Sequence, residues 1–273
     1  MLLSGGFDSV ITLLDLYKDA QEELGEQTAR DNIIALFIHH NYRSRPRELE
    51  VARRISGRLG ITLIEKDGRA FDLDRGAKQH EVDMFEVAPP VALENGCSKI
   101  IFGADVGCDR DSLEEYQRVT VPGAIVLAHA DDFYKEHGWK LEWDAQFEVR
   151  RMAILKTHLD AFTSFGFSPI WDTYSCFSIQ KPGLECGGCW KCFRKYMTCR
   201  SVLPRELVLP RFKNEPINRK NIKKLHILLD LAESNPRLFA GDGESESYAL
   251  LDFRDMWQIA IEDMDTVDKS AVL

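Results

Sequence analysis

Long apolar runs are missing from this chain of 273 residues; the longest is the six residues Ile33–Ile38. A membrane-spanning helix needs roughly 20, so none is expected. Glycine (18) and proline (10) are sparse, and hydrophobic residues make up 44% of the chain, which excludes collagen-like, low-complexity and wholly disordered classes. No Gly-Lys pair and no G-x-G-x-x-G string occurs, so neither a Walker loop nor a dinucleotide fingerprint is present. No charged leader precedes the first motif at Ser4, and the expectation is a soluble, cytoplasmic protein. An even, spread-out cysteine framework is lacking too. The seven cysteines are four crowded together and three scattered, Cys97, Cys108 and Cys199, a pattern that reads as a metal site plus free thiols rather than secreted disulfides.

Charge is unevenly distributed. The net charge is −9, yet residues 181–224 hold twelve Lys/Arg against three Glu, a local +9 that leaves −18 for the rest. Such a segment fits an anionic ligand, an acidic partner or a solvated surface.

Hydrophobic periodicity alternates between strand and helix. Met1–Leu3 is a short apolar run, and Val10, Leu13, Leu14 and Tyr17 then recur at helical spacing. Ile33–Ile38 reads as a strand, Pro46–Leu59 as a helix closed by Gly60, Ile61–Ile64 as a strand, Val82–Glu94 as a helix and Lys99–Phe102 as a strand. This alternation predicts an α/β fold with a doubly wound parallel sheet, whose ligands bind at the C-terminal strand ends. Residues 111–146 give no clear pattern. Glu148–Phe165 reads as a helix stopped by Gly166, Asn221 as the N-cap of a helix over Ile222–Leu231, and Gly241–Ser247 as a loop.

Two motifs carry chemistry. Ser4-Gly5-Gly6-Phe7-Asp8-Ser9 joins the first strand to the first helix. Its glycines allow a tight turn with N–H groups presented to an anion, and its serines and the helix N-terminus add donors. That is a phosphate cradle, with a plain Ser/Asp-capped turn as the alternative. The second motif is Cys176, Cys186, Cys189 and Cys192 in the spacing C-x9-C-x2-C-x2-C. Four thiolates favour a closed, structural tetrahedral Zn2+ site, with an iron–sulfur cluster as competitor.

The loop string resembles the Ser-Gly-Gly-x-Asp-Ser pyrophosphate loop of the PP-loop ATPases. Together with the cysteine pattern it resembles the 7-cyano-7-deazaguanine synthases. Further patches fit: Tyr42–Ala52, Lys156 ahead of Phe165-Gly166, Thr173–Cys176 and Cys186–Arg194. The family's Pro-Gly-Arg-Asn stretch is absent, its aspartate-rich loop is altered to Gly103–Asp111, and residues 201–273 have no counterpart.

The resemblance implies a PP-loop, Rossmann-like domain over 1–172 and a four-cysteine zinc module over 173–200, and helical patterning adds a helical C-terminal extension over 201–273. It implies a ligase that adenylates a carboxylate, 7-carboxy-7-deazaguanine, with ATP and Mg2+. Ammonia then gives an amide, and a second adenylation drives dehydration to a nitrile. On this reading Asp8 and Lys156 are catalytic, and Ser4, Gly5, Gly6, Asp8, Ser9 and His39 bind the nucleotide. Asp105, Asp109 and Arg194 meet the substrate, and Cys176, Cys186, Cys189 and Cys192 hold zinc. Transfer of the activated acid to a macromolecule through residues 181–273, a zinc-bearing RNA or protein binder without turnover, and a homodimer stay open.

Overall fold

The computed structural model describes residues 1–40, 44–68, 80–104, 142–147, 151–176, 178, 183–234 and 248–264. They form a mixed α/β structure. The chain divides into two compact units, one made of Met1–Ala104 with 142–146, the other running from Phe147 onward.

In the first unit the apolar spacing of Phe7–Leu24 produces helix α1, with Val10, Leu13, Leu14 and Tyr17 buried. A short helix α2 (Glu26–Asn32) follows, then strand β1 (Ile34–His39), helix α3 (Arg45–Leu59) and strand β2 (Thr62–Asp67). The predicted Gly60 cap is present: it adopts a left-handed conformation and donates its N–H to Ser56 O. Helix α4 (His80–Glu94) leads to β3 (Lys99–Ala104).

β1 and β2 pair in parallel from Ile34 beside Thr62 to His39 beside Asp67. The other edge of β1 takes the first residues of the chain. Leu2 makes a parallel bridge with Leu36, Leu36 N–H donates to Met1 O at 2.8 Å and Leu3 N–H to Leu36 O at 2.9 Å. Leu2 N–H also donates to Ile101 O of β3 at 2.8 Å. Residues 1–3 therefore lie between β1 and β3, and β3 is bonded in turn to β4 (Glu142–Phe147). β4 falls in the stretch whose sequence pattern was unclear.

The strand period of two divides the apolar residues between two faces. Leu2, Leu36, Ile38 and Ile100 cluster with Ala88, Val91 and Ala92 of α4. Leu3, Ala35 and Phe37 are buried on the other face, where the Arg45 guanidinium of α3 lies over the Phe37 ring. Tyr17 Oη donates to Leu59 O at 3.2 Å and ties α1 to the end of α3.

The second unit contains α5 (Arg151–Ser164), α6 (Trp190–Arg200), α7 (Arg205–Val208) running into a 3-10 turn (Leu209–Arg211), α8 (Arg219–Ser234) and α9 (Tyr248–Met264). Phe162, Phe193, Tyr196, Met197, Leu225, Leu228, Phe253 and Met256 are buried in it. Buried Asp263 of α9 accepts from Tyr196 Oη at 2.5 Å and from both Nε and Nη2 of Arg200 at 3.1 Å. The helices after residue 200 therefore pack with the cysteine-bearing α6 in one unit. One cap differs from expectation. Asn218, not Asn221, starts α8: its Oδ1 accepts Asn221 N–H at 3.1 Å. Asn221 is buried inside the helix and donates to Pro216 O. Residues 241–247 lie outside the described residues.

Candidate functional site

The glycine loop of the first unit is held by its own hydroxyls. Ser4 N–H donates to Ser9 Oγ at 3.1 Å, the two Oγ atoms lie 3.0 Å apart, and Gly6 N–H reaches Ser4 Oγ at 3.3 Å. Ser9 Oγ donates to Gly6 O at 3.1 Å. Gly5 has φ +75°, and a Cβ on it would stand 2.2 Å from Glu48 O, so only glycine fits between the loop and α3. Gly6 is the N-cap of α1 and no side chain caps that helix end. On the far side Gly103 of β3 packs on the first turn of α1, where a Cβ would stand 2.7 Å from Asp8 O. The loop thus lies between the start of α3 and the end of β3. It presents an exposed Ser4, a half-buried Asp8 and a buried Ser9.

His39 ends β1 at the same edge. Its Nε2 lies 3.0 Å from Glu65 Oε2, and Arg53 grips Glu65 with Nε at 2.7 Å and Nη2 at 2.9 Å. The Arg53 hydrogen bonds, foremost, hold the Glu65 carboxyl below the usual carboxylate range. Asp105 and Asp109 lie outside the described residues, as does Cys108.

The cysteine cluster of the second unit is assembled from three segments. Cys176 follows Thr173, Cys186 and Cys189 form the knuckle that opens α6, and Cys192 lies in the first turn of α6. All four sulfurs lie within 4.8 Å of one another, with Cys189–Cys192 at 3.4 Å and Cys186–Cys192 at 3.7 Å. A tetrahedron with Zn–S arms of about 2.3 Å has edges of about 3.8 Å, so the donor set fits a metal such as zinc. Ser178 and Cys186 N–H groups each donate to Cys176 Sγ at 3.3 Å, the bonds that a metal-bound thiolate accepts. Crowding makes the thiols unequal. Hydrogen bonding from Cys176, foremost, holds Cys189 well below the usual thiol range, while the same contacts push Cys176 and Cys192 up. A divalent cation would let all four ionise together.

Behind the sulfurs lies a buried ionic group. Glu185 is fully buried and accepts from Lys195 Nζ and from Arg211 Nε at 3.3 Å. Thr173 O takes Lys195 Nζ at 2.8 Å and Arg211 Nη2 at 3.0 Å, and Arg211 Nη1 donates to Gly183 O at 2.7 Å. Residues 211–214 also close over the knuckle. Glu185 N–H donates to Arg211 O, Lys213 N–H to Glu185 O, and Asn214 offers both its N–H and Nδ2 to Cys186 O. Gly187, at φ +76°, meets Asn214 O so closely that a Cβ would stand 1.8 Å away.

Several expected roles meet different surroundings. Arg194, expected to meet the substrate, is only 3% exposed, and the neighbouring Lys195 is buried in this ionic group. Lys195 is drawn inward because the Glu185 carboxylate and the Thr173 carbonyl accept from it. Lys156, expected as a catalytic residue, lies exposed inside α5, within the stretch read as the Glu148–Phe165 helix. The structure brings Ser4, Gly5, Gly6, Asp8 and Ser9 together, and separately the four cysteines. Glu185 and Arg211 were missed; only the position of Glu185, next to Cys186, could have signalled it.

No family model, curated protein or solved structure matches the chain.

No helix among the described residues is long and apolar enough to cross a membrane.

Proposed function

We propose that the 4–9 loop holds the pyrophosphate of ATP, and that the protein is a PP-loop-type ATP-dependent ligase with a structural zinc. The observation that carries this reading is the position of Ser4–Ser9: after a strand-like segment lying between β1 and β3, and opening into the uncapped start of α1. The lateral order β2, β1, residues 1–3, β3, β4 supports a doubly wound sheet. On this reading it corresponds to the nucleotide-binding order 3-2-1-4-5, in which the chain reverses direction across the sheet beside the first strand. α3 and α4 cover opposite faces, as that winding requires.

In this reading the loop N–H groups, the Ser4 and Ser9 hydroxyls and the positive end of α1 bind phosphate oxygens. Mg2+ arriving with ATP needs only one or two protein carboxylates, and Asp8 stands at the loop to supply one. The ion offsets phosphate charge when bound. The acid substrate's carboxylate oxygen attacks the α-phosphorus, the bond to pyrophosphate breaks, and AMP becomes the leaving group that an amine later displaces. By family resemblance the acid is 7-carboxy-7-deazaguanine and the amine is ammonia.

The test is pyrophosphate and AMP release from Mg·ATP with that acid and ammonia. Substrate-dependent release, abolished in Asp8→Ala with the fold retained, is the expected result. No release with the acid, or full turnover in the variant, overturns the reading.

A second acceptor has one observation in its favour. Lys213, Arg219, Lys220 and Lys223 are exposed on the extension, a surface suited to an anionic macromolecule. Mass spectrometry of co-purified nucleic acid and protein would detect an acyl adduct; free nitrile as the sole product excludes it.

A further inference from the structure

The first turn of α3 lies on the glycine loop. The Cβ position of Gly5 falls 2.2 Å from Glu48 O and 3.1 Å from Glu48 Cα. Arg45, the first residue of α3, donates from Nη1 to Glu48 Oε2 at 2.7 Å. Residues three apart share a helix face, and helical side chains lean toward the N-terminus. Here that is the end of α3 that meets the loop. The guanidinium is also pinned from the sheet side, 4.8 Å from the centre of the Phe37 ring. The Leu2–Leu36 bridge makes Phe37 level with Leu3, the residue before the loop.

Surface Arg–Glu pairs at this spacing are usually solvated and contribute little. This one is different in setting: its side chains are only 14% and 16% exposed, and its cation is held over an aromatic ring beside an uncapped helix start. A guanidinium fork fits two phosphate oxygens as well as it fits two carboxylate oxygens.

We propose that Arg45 is the cationic arm of the phosphate site, and that Glu48 and the nucleotide's phosphates compete for its fork. This rests on the reading of residues 4–9 as a pyrophosphate loop. Binding then moves the guanidinium from Glu48 Oε2 to a non-bridging phosphate oxygen, with Phe37 keeping its plane in position.

The proposal makes two variants differ in sign. R45A removes the arm, whereas E48Q removes the charged competitor and leaves a side chain of the same shape. A pair that merely braced α3 would make both variants slightly less stable and change affinity in neither.

The experiment is calorimetric titration of the full chain with Mg·ATP and, separately, with inorganic pyrophosphate and Mg2+. Losing a charge-assisted hydrogen bond should weaken both ligands about 10- to 100-fold in R45A. R45K should recover part of this, because a point charge lacks the fork. E48Q should bind both ligands several-fold more tightly, and since it is isosteric it keeps the test decisive where R45A fails to fold. Wild-type affinity in R45A, or unchanged or weaker binding in E48Q, would overturn the proposal while the loop reading stands. If the wild-type chain binds neither ligand, both are overturned.

Discussion

The 4–9 loop keeps its shape with two serine hydroxyls and two glycines, whereas the cysteine module keeps its shape with four sulfurs and a buried Lys195–Glu185–Arg211 group. The loop leaves Ser4 and Asp8 at the surface and is anchored from beneath by the fully buried Phe7. The module turns its charges inward, where each must find a partner or cost several kcal/mol. The difference separates tasks. Changes at the loop's polar residues should alter binding more than folding, and changes in the module should alter folding first.

Removing the metal ligand set is the sharpest way to test that separation. Structural zinc contributes about 10–16 kcal/mol of apparent binding energy in small zinc peptides at pH 7, so Cys189→Ser or exhaustive chelation should unfold much of the second unit. Far-UV circular dichroism and elemental analysis would read this together. Cys199→Ser, although buried, should retain one zinc per chain. Stoichiometric metal absent from the wild type would remove zinc from the account.

Glu185→Leu comes next. It leaves Lys195 and Arg211 buried without their carboxylate, and breaking such a group costs about 3–5 kcal/mol. Urea unfolding of the variant should show this loss. A change below about 1 kcal/mol, the range of surface pairs, would show that the carbonyls of Thr173 and Gly183 suffice.

Gly5→Ala should cost less, about 1–3 kcal/mol for a residue forced into a sparsely populated backbone region, with added strain against Glu48 O. Its effect on Mg·ATP binding should exceed its effect on the melting temperature. Equal losses in both would mean that the loop belongs to the core after all.

The smallest effect is a pH dependence. Glu65 has its folded pKa lowered by Arg53, so its contribution is complete above the ordinary glutamate value of about 4.3 and disappears as pH falls through the lower folded value. The pair is partly exposed, which limits it to less than about 1 kcal/mol. Glu65→Gln should flatten the acid limb of the stability curve only in that window. An unchanged acid limb would show that solvent screens the pair fully.

What the sequence revealed follows from how local each determinant is. The β1 run, the α3 helix with its Gly60 stop and the Ser4–Ser9 turn depend on neighbours in the chain, and all were legible. β4 has the strand alternation of Trp143, Ala145 and Phe147 against Glu142, Asp144 and Gln146, but it is short and isolated in a stretch of mixed pattern. Asn218 and Asn221 are equally good caps by residue type; the position of Pro216 O decides between them. The basic bias of 181–224 was legible only as a sum. It hid that Lys195 and Arg211 are buried, because Glu185 and the Thr173 carbonyl are brought to them by the fold.

The closure of residues 211–214 over the knuckle has a consequence in time. The hydrogen bonds from Asn214 to Cys186 O lie across one side of the cluster, so an ion held by the four sulfurs would leave only when that segment opens locally. Isotope exchange of the bound ion should run at the rate at which the 211–214 segment lifts, largely independent of the ion concentration outside.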